Sequence, residues 1–250
     1  MNICIDQGNS RTKVALFGDD KRIVKTFIYK SFTSSDVQRL FSLYPLSDSI
    51  VSSVVNIEPS VVNALQRLSR HFLLFDHLTP VPIHNDYESP ETLGLDRLAA
   101  AVGAATICPG KDLLIIDAGS AITYDVVTAD GHYIGGNIAP GLKMRLYVLH
   151  QRTKKLPLVE TDVHTMLPLF GKNTQEAIAA GVVRGIAYEV KGYIRTLTEK
   201  GSQPVVFITG GNAPFILAQV QHPMRYERQL VLHGLNTILE YSMQPADKQP

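Results

Sequence analysis

The chain opens Met1-Asn2-Ile3-Cys4-Ile5-Asp6-Gln7-Gly8-Asn9-Ser10-Arg11-Thr12-Lys13, and Val14-Ala15-Leu16-Phe17 follow. A short apolar run ends on Asp6, a Gly8-Asn9-Ser10 turn comes next, and a second apolar run begins at Val14. The pattern predicts strand, tight turn, strand, with Gly8 and Asn9 supplying the turn chemistry. Asp6 then stands at a strand end, the backbone N–H groups of residues 8–10 point outward, and Lys13 lies on the return strand. A carboxylate, free amides and an ammonium on one turn suit a phosphate that carries a metal ion.

By itself Asp-x-Gly-Asn also fits an ordinary hairpin. However, Leu113-Leu114-Ile115-Ile116-Asp117-Ala118-Gly119-Ser120-Ala121-Ile122-Thr123-Tyr124-Asp125-Val126-Val127 repeats the design. An apolar strand again ends in Asp-x-Gly, followed by a small polar residue and a second apolar strand. Repetition of a half-chain unit is the signature of duplicated architecture. It predicts two related domains, residues 1–111 and 112–250, each offering one phosphate-facing hairpin.

The 250 residues allow one large domain or two small ones with ample core. Hydrophobic residues make up 45% and charged residues 19%, which argues against disorder. A formal net charge of +1 gives no global basic field, so no nucleic-acid partner is expected. Cys4 and Cys108 sit among apolar or small residues and read as reduced thiols of a cytoplasmic protein. No apolar run reaches membrane-spanning length, and the immediate first strand leaves no room for a signal peptide, so no membrane partner is expected.

Outward from the first hairpin, residues 23–29 predict a third strand, 36–43 a short helix and 50–55 a buried strand. Pro59 opens a helix to residue 69, and 72–75 is a further strand. Residues 77–92, with Pro80, Pro82 and Pro90, read as an irregular connection of the kind that is often functional. A helix of small residues, 98–105, is suited to close packing. Residues 113–117, 121–127 and 132–138 give three more strands, with Asp130-Gly131 as a hairpin turn. A helix near 142–151 and a basic, proline-bearing ordered loop over 152–172 follow.

Asn173 caps a long helix with Ile178, Val182, Ile186, Val190 and Ile194 on one stripe. Ala180, Gly181 and Gly185 on that helix permit close approach of another helix, inside the chain or across a two-fold dimer seam. Residues 205–208 form a buried strand, 230–241 a last helix, and the tail from Gln244 is expected to fray.

Three further features bear on chemistry. Gly210-Gly211 follows a strand and opens a helix, a turn that lets a nucleotide approach the backbone. Asp96-Arg97 precedes a helix: Asp96 suits a proton acceptor for an attacking hydroxyl and Arg97 an anion, although locally the pair also fits a helix-dipole aspartate with an exposed arginine. Asp125 reads as a polar edge residue rather than a second metal-facing carboxylate. The eight histidines have no ligand spacing. Two Asp-bearing hairpins, a Gly-Gly turn and no Gly-x-x-x-x-Gly-Lys-Ser/Thr motif point to a nucleotide site of the actin and sugar-kinase sort.

With these residues assembled, the chain resembles the type III pantothenate kinases, within the acetate and sugar kinase, Hsp70 and actin superfamily. The likeness runs from residue 2 to about 240. It rests on Asp6-x-Gly-Asn-Ser-x-x-Lys13, Gly94-x-Asp96-Arg97, Asp117-x-Gly-Ser-Ala-x-Thr123, Gly135-Gly-x-Ile-x-Pro-Gly141 and Asn173-Thr174-x-x-Ala-Ile178. The resemblance implies an α/β chain of two ribonuclease H-like domains, each a mixed five-stranded sheet flanked by helices, in the actin-like ATPase fold. It implies phosphorylation of pantothenate by ATP with Mg²⁺, the first step of coenzyme A biosynthesis, with ATP between the two halves.

The resemblance assigns Asp6, Gln7, Gly8, Asn9, Ser10, Arg11, Thr12, Lys13 and Ser120 to ATP. Asp96 becomes the catalytic base, and Tyr87, Gly94, Leu95, Asp96, Arg97 and Thr174 become pantothenate contacts. Asp117 becomes the site of a monovalent cation, K⁺ or NH₄⁺. A homodimer with its active site completed at the interface is also implied. Ser10 and Ser120 stand where the family usually has threonine, which keeps the hydroxyl and loses a methyl. The residues alone reach a two-hairpin ATP-dependent phosphotransferase; a kinase for another small hydroxy acid and a non-catalytic ATP-binding transcriptional accessory protein are the rival readings.

Overall fold

The computed structural model describes residues 1–161 and 167–245. They form two compact units. The first comprises Met1–Pro109, Gly131–Tyr133 and the segment from Gln229 on; the second comprises Gly110–Asp130 and Ile134–Arg228. The units thus differ from a single cut after residue 111, because the last helix returns to the first unit.

In the first unit, β1 (Asn2–Gln7), β2 (Thr12–Phe17), β3 (Ile23–Tyr29), β4 (Asp48–Ser53) and β5 (His71–Leu74) form a sheet in the order β3-β2-β1-β4-β5. β1 runs antiparallel to β2 and parallel to β4. Alternation sends Ile3, Ile5, Val14 and Leu16 to one core, where they meet Val37 and Leu40 of α1 (Ser34–Leu43) and Val61 and Leu65 of α2 (Pro59–Leu68). α1 starts before the expected residue 36 because Thr33 and Asp36 cap it reciprocally. β4 begins two residues early: Asp48 and Ser49 are buried there, and Arg70 answers the Asp48 carboxylate with N···O distances of 3.2 and 2.9 Å.

Also in this unit, α3 (Leu95–Ile107) packs on α7 (Leu230–Ser242). The expected close packing of the small-residue helix is realised here. A Cβ on Gly234 would collide with the Ala99 carbonyl and stand 3.0 Å from the Gly103 nitrogen. Asn236 of α7 accepts a hydrogen bond from the Asn2 side chain at 2.9 Å, tying α7 to β1.

In the second unit the strands are β7 (Leu113–Ala118), β8 (Ala121–Val127), most of β9 (His132–Pro140), β10 (Val205–Thr209) and the short β11 (Arg225–Tyr226). The hydrogen-bonding order is β11-β10-β7-β8-β9-β6. The sixth strand, against the five expected, is β6 (His84–Asn85), which pairs with His132 and Tyr133 of the first unit. It lies within residues 77–92, expected to be irregular throughout.

α4 (Leu142–Arg152), α5 (Thr174–Glu199) and α6 (Ala213–Gln219) complete the second unit. Asn173 caps α5 as expected, its side chain accepting from the Glu176 N–H at 2.9 Å. The stripe Ile178, Val182, Ile186, Val190 and Ile194 is buried against Leu114, Ile116 and Ile208. Asp125 is not an edge residue: it lies opposite Ile115 and is 1% exposed. Residues 162–166 of the expected loop, and the tail from 246 on, lie outside the described residues. Among the described residues, no helix is long and apolar enough to cross a membrane.

Candidate active site

The first hairpin places Asp6 directly opposite Lys13. The Asp6 side chain is only 12% exposed, and the Lys13 ammonium stands 3.9 Å away, too far for a strong hydrogen bond. Burial pushes the Asp6 carboxyl up to about 6; Lys13 pulls it down and the Asp96 carboxylate pushes it further up. Asp6 and Asp96 therefore sense each other inside one unit. A buried carboxylate so poorly compensated by its lysine is suited to a hard divalent cation, which Asp6 would hold.

The turn between the strands covers residues 8–11, longer than a two-residue hairpin. The Gly8 N–H donates to the Arg11 carbonyl at 3.1 Å, so it closes the turn instead of pointing outward. Neither Gly8 nor Asn9 takes a positive φ. The extra length removes the need for the left-handed residues a tight turn demands. Asn9, Ser10 and Arg11 are exposed and Thr12 is buried. The turn borders a polar cavity of about 260 Å³, shared by Gln7, Asn9, Ser10, Lys30 and Ser31.

Residues 94–97 begin α3. A Cβ on Gly94 would stand 2.7 Å from Asp96 Oδ1, so the glycine leaves room for the carboxylate. Asp96 Oδ1 accepts the Arg97 N–H at 2.9 Å. Leu95 is half-buried. Arg97 is not the exposed arginine that a purely helix-capping role allows: it is 6% exposed, and its guanidinium lies 5.6 Å from the centre of the Tyr87 ring. Tyr87, which the resemblance alone singles out, thus meets Arg97 in space.

In the second unit, Asp117 is the penultimate residue of β7 and lies opposite Thr123. Three contacts fix the turn that follows. The Asn212 N–H donates to the Ala118 carbonyl at 2.9 Å, and its side-chain amide donates to the Gly119 carbonyl at 3.0 Å. The Gly141 N–H donates to the Ser120 carbonyl at 3.1 Å. Ser120 itself is exposed. The two glycines of the 210–211 turn serve different ends. Gly210 has φ +89°, and a Cβ there would collide with the Asp117 carboxylate, whereas a Cβ on Gly211 would meet nothing within 4 Å. Gly210 makes room for Asp117; only Gly211 is open to a ligand.

Sequence patterns had no means of singling out Asn212, whose role is set by the carbonyls of a turn far away in the chain. Thr174, the first residue of α5, lines a groove of about 740 Å³ with Met144, Val148, Ile178 and Gly181. Among the described residues, no group of three or more His, Cys, Asp or Glu side chains is arranged to hold a metal ion.

A family model for type III pantothenate kinase matches residues 2–196. The chain belongs to the type III pantothenate kinase family. A relative of that name from Phocaeicola vulgatus is 42% identical over 242 residues, covering 97% of this chain and 99% of its own. Another from Bacteroides fragilis is 44% identical over 243 residues, covering 97% and 98%.

Among solved structures, a conserved putative Baf family transcriptional activator from Campylobacter jejuni has a TM-score of 0.60 at 21% identity, covering 96% of this chain and 98% of its own. The activator of the 2-hydroxyisocaproyl-CoA dehydratase from Clostridium difficile, solved with bound ADPNP, has a TM-score of 0.54 at 13% identity, covering 96% and 95%. These likenesses concern fold, and the fold is that of the actin-like ATPases and sugar kinases.

Proposed function

We propose that this chain transfers the γ-phosphoryl group of ATP to the primary hydroxyl of pantothenate, giving 4′-phosphopantothenate, the first step of coenzyme A biosynthesis. Family membership along nearly the whole chain carries this reading. Asp6, 3.9 Å from the Lys13 ammonium and sensing the Asp96 carboxylate, supplies the local chemistry with Asp96. Asp96 accepts the hydroxyl proton as the alcohol oxygen bonds to the γ-phosphorus. The bond from that phosphorus to the β–γ bridging oxygen breaks, and ADP leaves with its electron pair. Asp6 would hold Mg²⁺, which when bound neutralises phosphate charge. Lys13 and residues 7–12, apart from the Gly8 N–H that closes the turn, hold the phosphates, and Ser120 contacts ATP from the second hairpin.

Tyr87, residues 94–97 and Thr174 orient pantothenate, with Arg97 answering its carboxylate. Asp117 would hold K⁺ or NH₄⁺. The repeated hairpins favour duplication of halves 1–111 and 112–250. The thiols Cys4 and Cys108 accord with the reducing cytoplasm.

ADP release from MgATP, with pantothenate added, tests this reading in potassium and again in sodium buffer. The expected result is pantothenate-dependent release that requires potassium. Release in both buffers removes the cation from Asp117. No release from folded, ATP-binding protein replaces pantothenate with another acceptor or removes catalysis.

A homodimer belongs to the same proposal. Met144, Val148 and Tyr188 expose apolar surface on α4 and α5, and Gly181 of α5 has open space where a Cβ would point. The close approach that Gly181 permits is therefore unused among the described residues of the second unit. Sedimentation is expected to give twice the 27.5 kDa chain mass, and a single-chain mass at assay concentration would remove the dimer.

A further inference from the structure

We propose that β6 and the Asp86–His132 pair form a positioning clamp that holds Tyr87 for the acceptor substrate. The proposal rests on the reading of Tyr87 and Arg97 as acceptor contacts. All the residues concerned belong to the first unit.

A two-residue strand has little stability of its own. The His84 N–H donates to the Gly131 carbonyl at 2.9 Å, and the Asp86 N–H to the Tyr133 carbonyl at 3.0 Å. Side chains reinforce that short ladder. The Asp86 carboxylate meets His132 Nδ1 at 2.8 Å, so Nδ1 carries the proton and donates it. The His84 and His132 rings stack with centroids 4.6 Å apart and planes 24° apart. Within residues 77–93 other hydrogen bonds join near neighbours, such as the Thr79 N–H to the Asp76 carbonyl and the Thr92 N–H to the Ser89 carbonyl. The clamp ties this segment to Gly131, His132 and Tyr133 through hydrogen bonds.

Its consequence falls on the next residue. Asn85 Oδ1 accepts the Tyr87 N–H at 3.2 Å, an Asx turn that sets the direction of the chain. The Tyr87 ring then lies 6.2 Å from the Tyr133 ring and over the Arg97 guanidinium. Tyr133 is fully buried and immediately follows His132, so one short strand holds both ends of the arrangement. Asp86 and His132 lie outside residues 6–13 and 117–123, the two phosphate-facing turns. Loosening them should disturb acceptor affinity and leave phosphate binding alone.

The test uses His132→Ala, Asp86→Ala and His132→Asn, the last keeping a donor near the place of Nδ1. Each alanine variant is expected to raise KM for pantothenate about tenfold, the effect of losing one charge-assisted hydrogen bond. KM for ATP and kcat should stay within about twofold, and His132→Asn should recover most of the loss. Unchanged pantothenate KM, equal rises in both KM values, or no advantage of Asn over Ala would overturn the proposal.

Hydrogen exchange across residues 80–90 reads the clamp without substrate. Local protection should fall in both alanine variants, and retained protection would overturn the clamp. If the wild-type chain fails to use pantothenate, the failure lies with the proposed acceptor. The clamp then stands or falls on exchange alone.

Discussion

Replacing Asp96 by Asn is expected to lower kcat by about 10²- to 10⁴-fold, the usual contribution of a positioned general base. The fold should survive, because Asn keeps the shape of Asp and its side-chain oxygen can still accept the Arg97 N–H that Asp96 now accepts at 2.9 Å. α3 owes its place to residues 97–104, buried against α7 and the sheet, and none of them is altered. Thermal midpoint and KM for ATP should therefore move little. The same substitution tests the blander role open to Asp96. A residue that merely favours a helix N-terminus can be replaced by Asn at a cost of a few tenths of a kcal/mol and no loss of turnover. Near-normal kcat in Asp96→Asn would take Asp96 out of the chemistry, and parallel loss of turnover and folding would leave its catalytic role without support.

Features governed by neighbours in sequence were legible before the structure, and features governed by distant partners were not. Both hairpins show in the apolar runs Ile3-Cys4-Ile5 and Val14-Ala15-Leu16-Phe17, and again in Leu113-Leu114-Ile115-Ile116, because strands buried on both faces need apolar side chains at consecutive positions. The stripe on α5 shows at helical period, because one face of that helix is buried. β6 has no such signal: His84 and Asn85 become a strand only through His132 and Tyr133. The last helix offers apolar residues that would fit either core; Gly234 against Ala99 and Gly103 decides for the first unit.

The candidate site divides in the same way. The Asp-x-Gly motifs mark Asp6 and Asp117, and the Gly94-x-Asp96-Arg97 motif marks the proposed base. The burial of Arg97 under Tyr87, and the unequal duties of Gly210 and Gly211, depend on three-dimensional neighbours that no local pattern encodes.

Asp6→Asn should produce two effects of opposite sign: near loss of kinase activity and a gain in stability. The activity loss follows from removing the carboxylate proposed to hold Mg²⁺, since Asn cannot supply the negative charge. The stability gain follows from burial. In the ligand-free chain the Asp6 carboxyl is raised from 3.8 to about 6. A carboxyl raised on folding binds its proton more tightly when folded. Its favourable contribution is complete below 3.8 and is lost as pH climbs through about 6.

Above that pH the native chain carries an ionised group in a poorly solvated place. Given about 1.4 kcal/mol for each pH unit between the two values, the cost approaches 3 kcal/mol. Asn has no proton to lose, so the variant avoids that cost. Denaturant unfolding without nucleotide should find Asp6→Asn more stable than wild type at pH 8, with the gap closing between about pH 6 and pH 4. A gap independent of pH would mean that something other than ionisation of Asp6 separates the two proteins. A variant less stable at pH 8 would mean that the attraction of Lys13, 3.9 Å away, outweighs burial. The expected outcome makes the first hairpin a site whose stability is sacrificed to hold charge ready for a cation, which explains why an aspartate persists where a neutral residue would fold better.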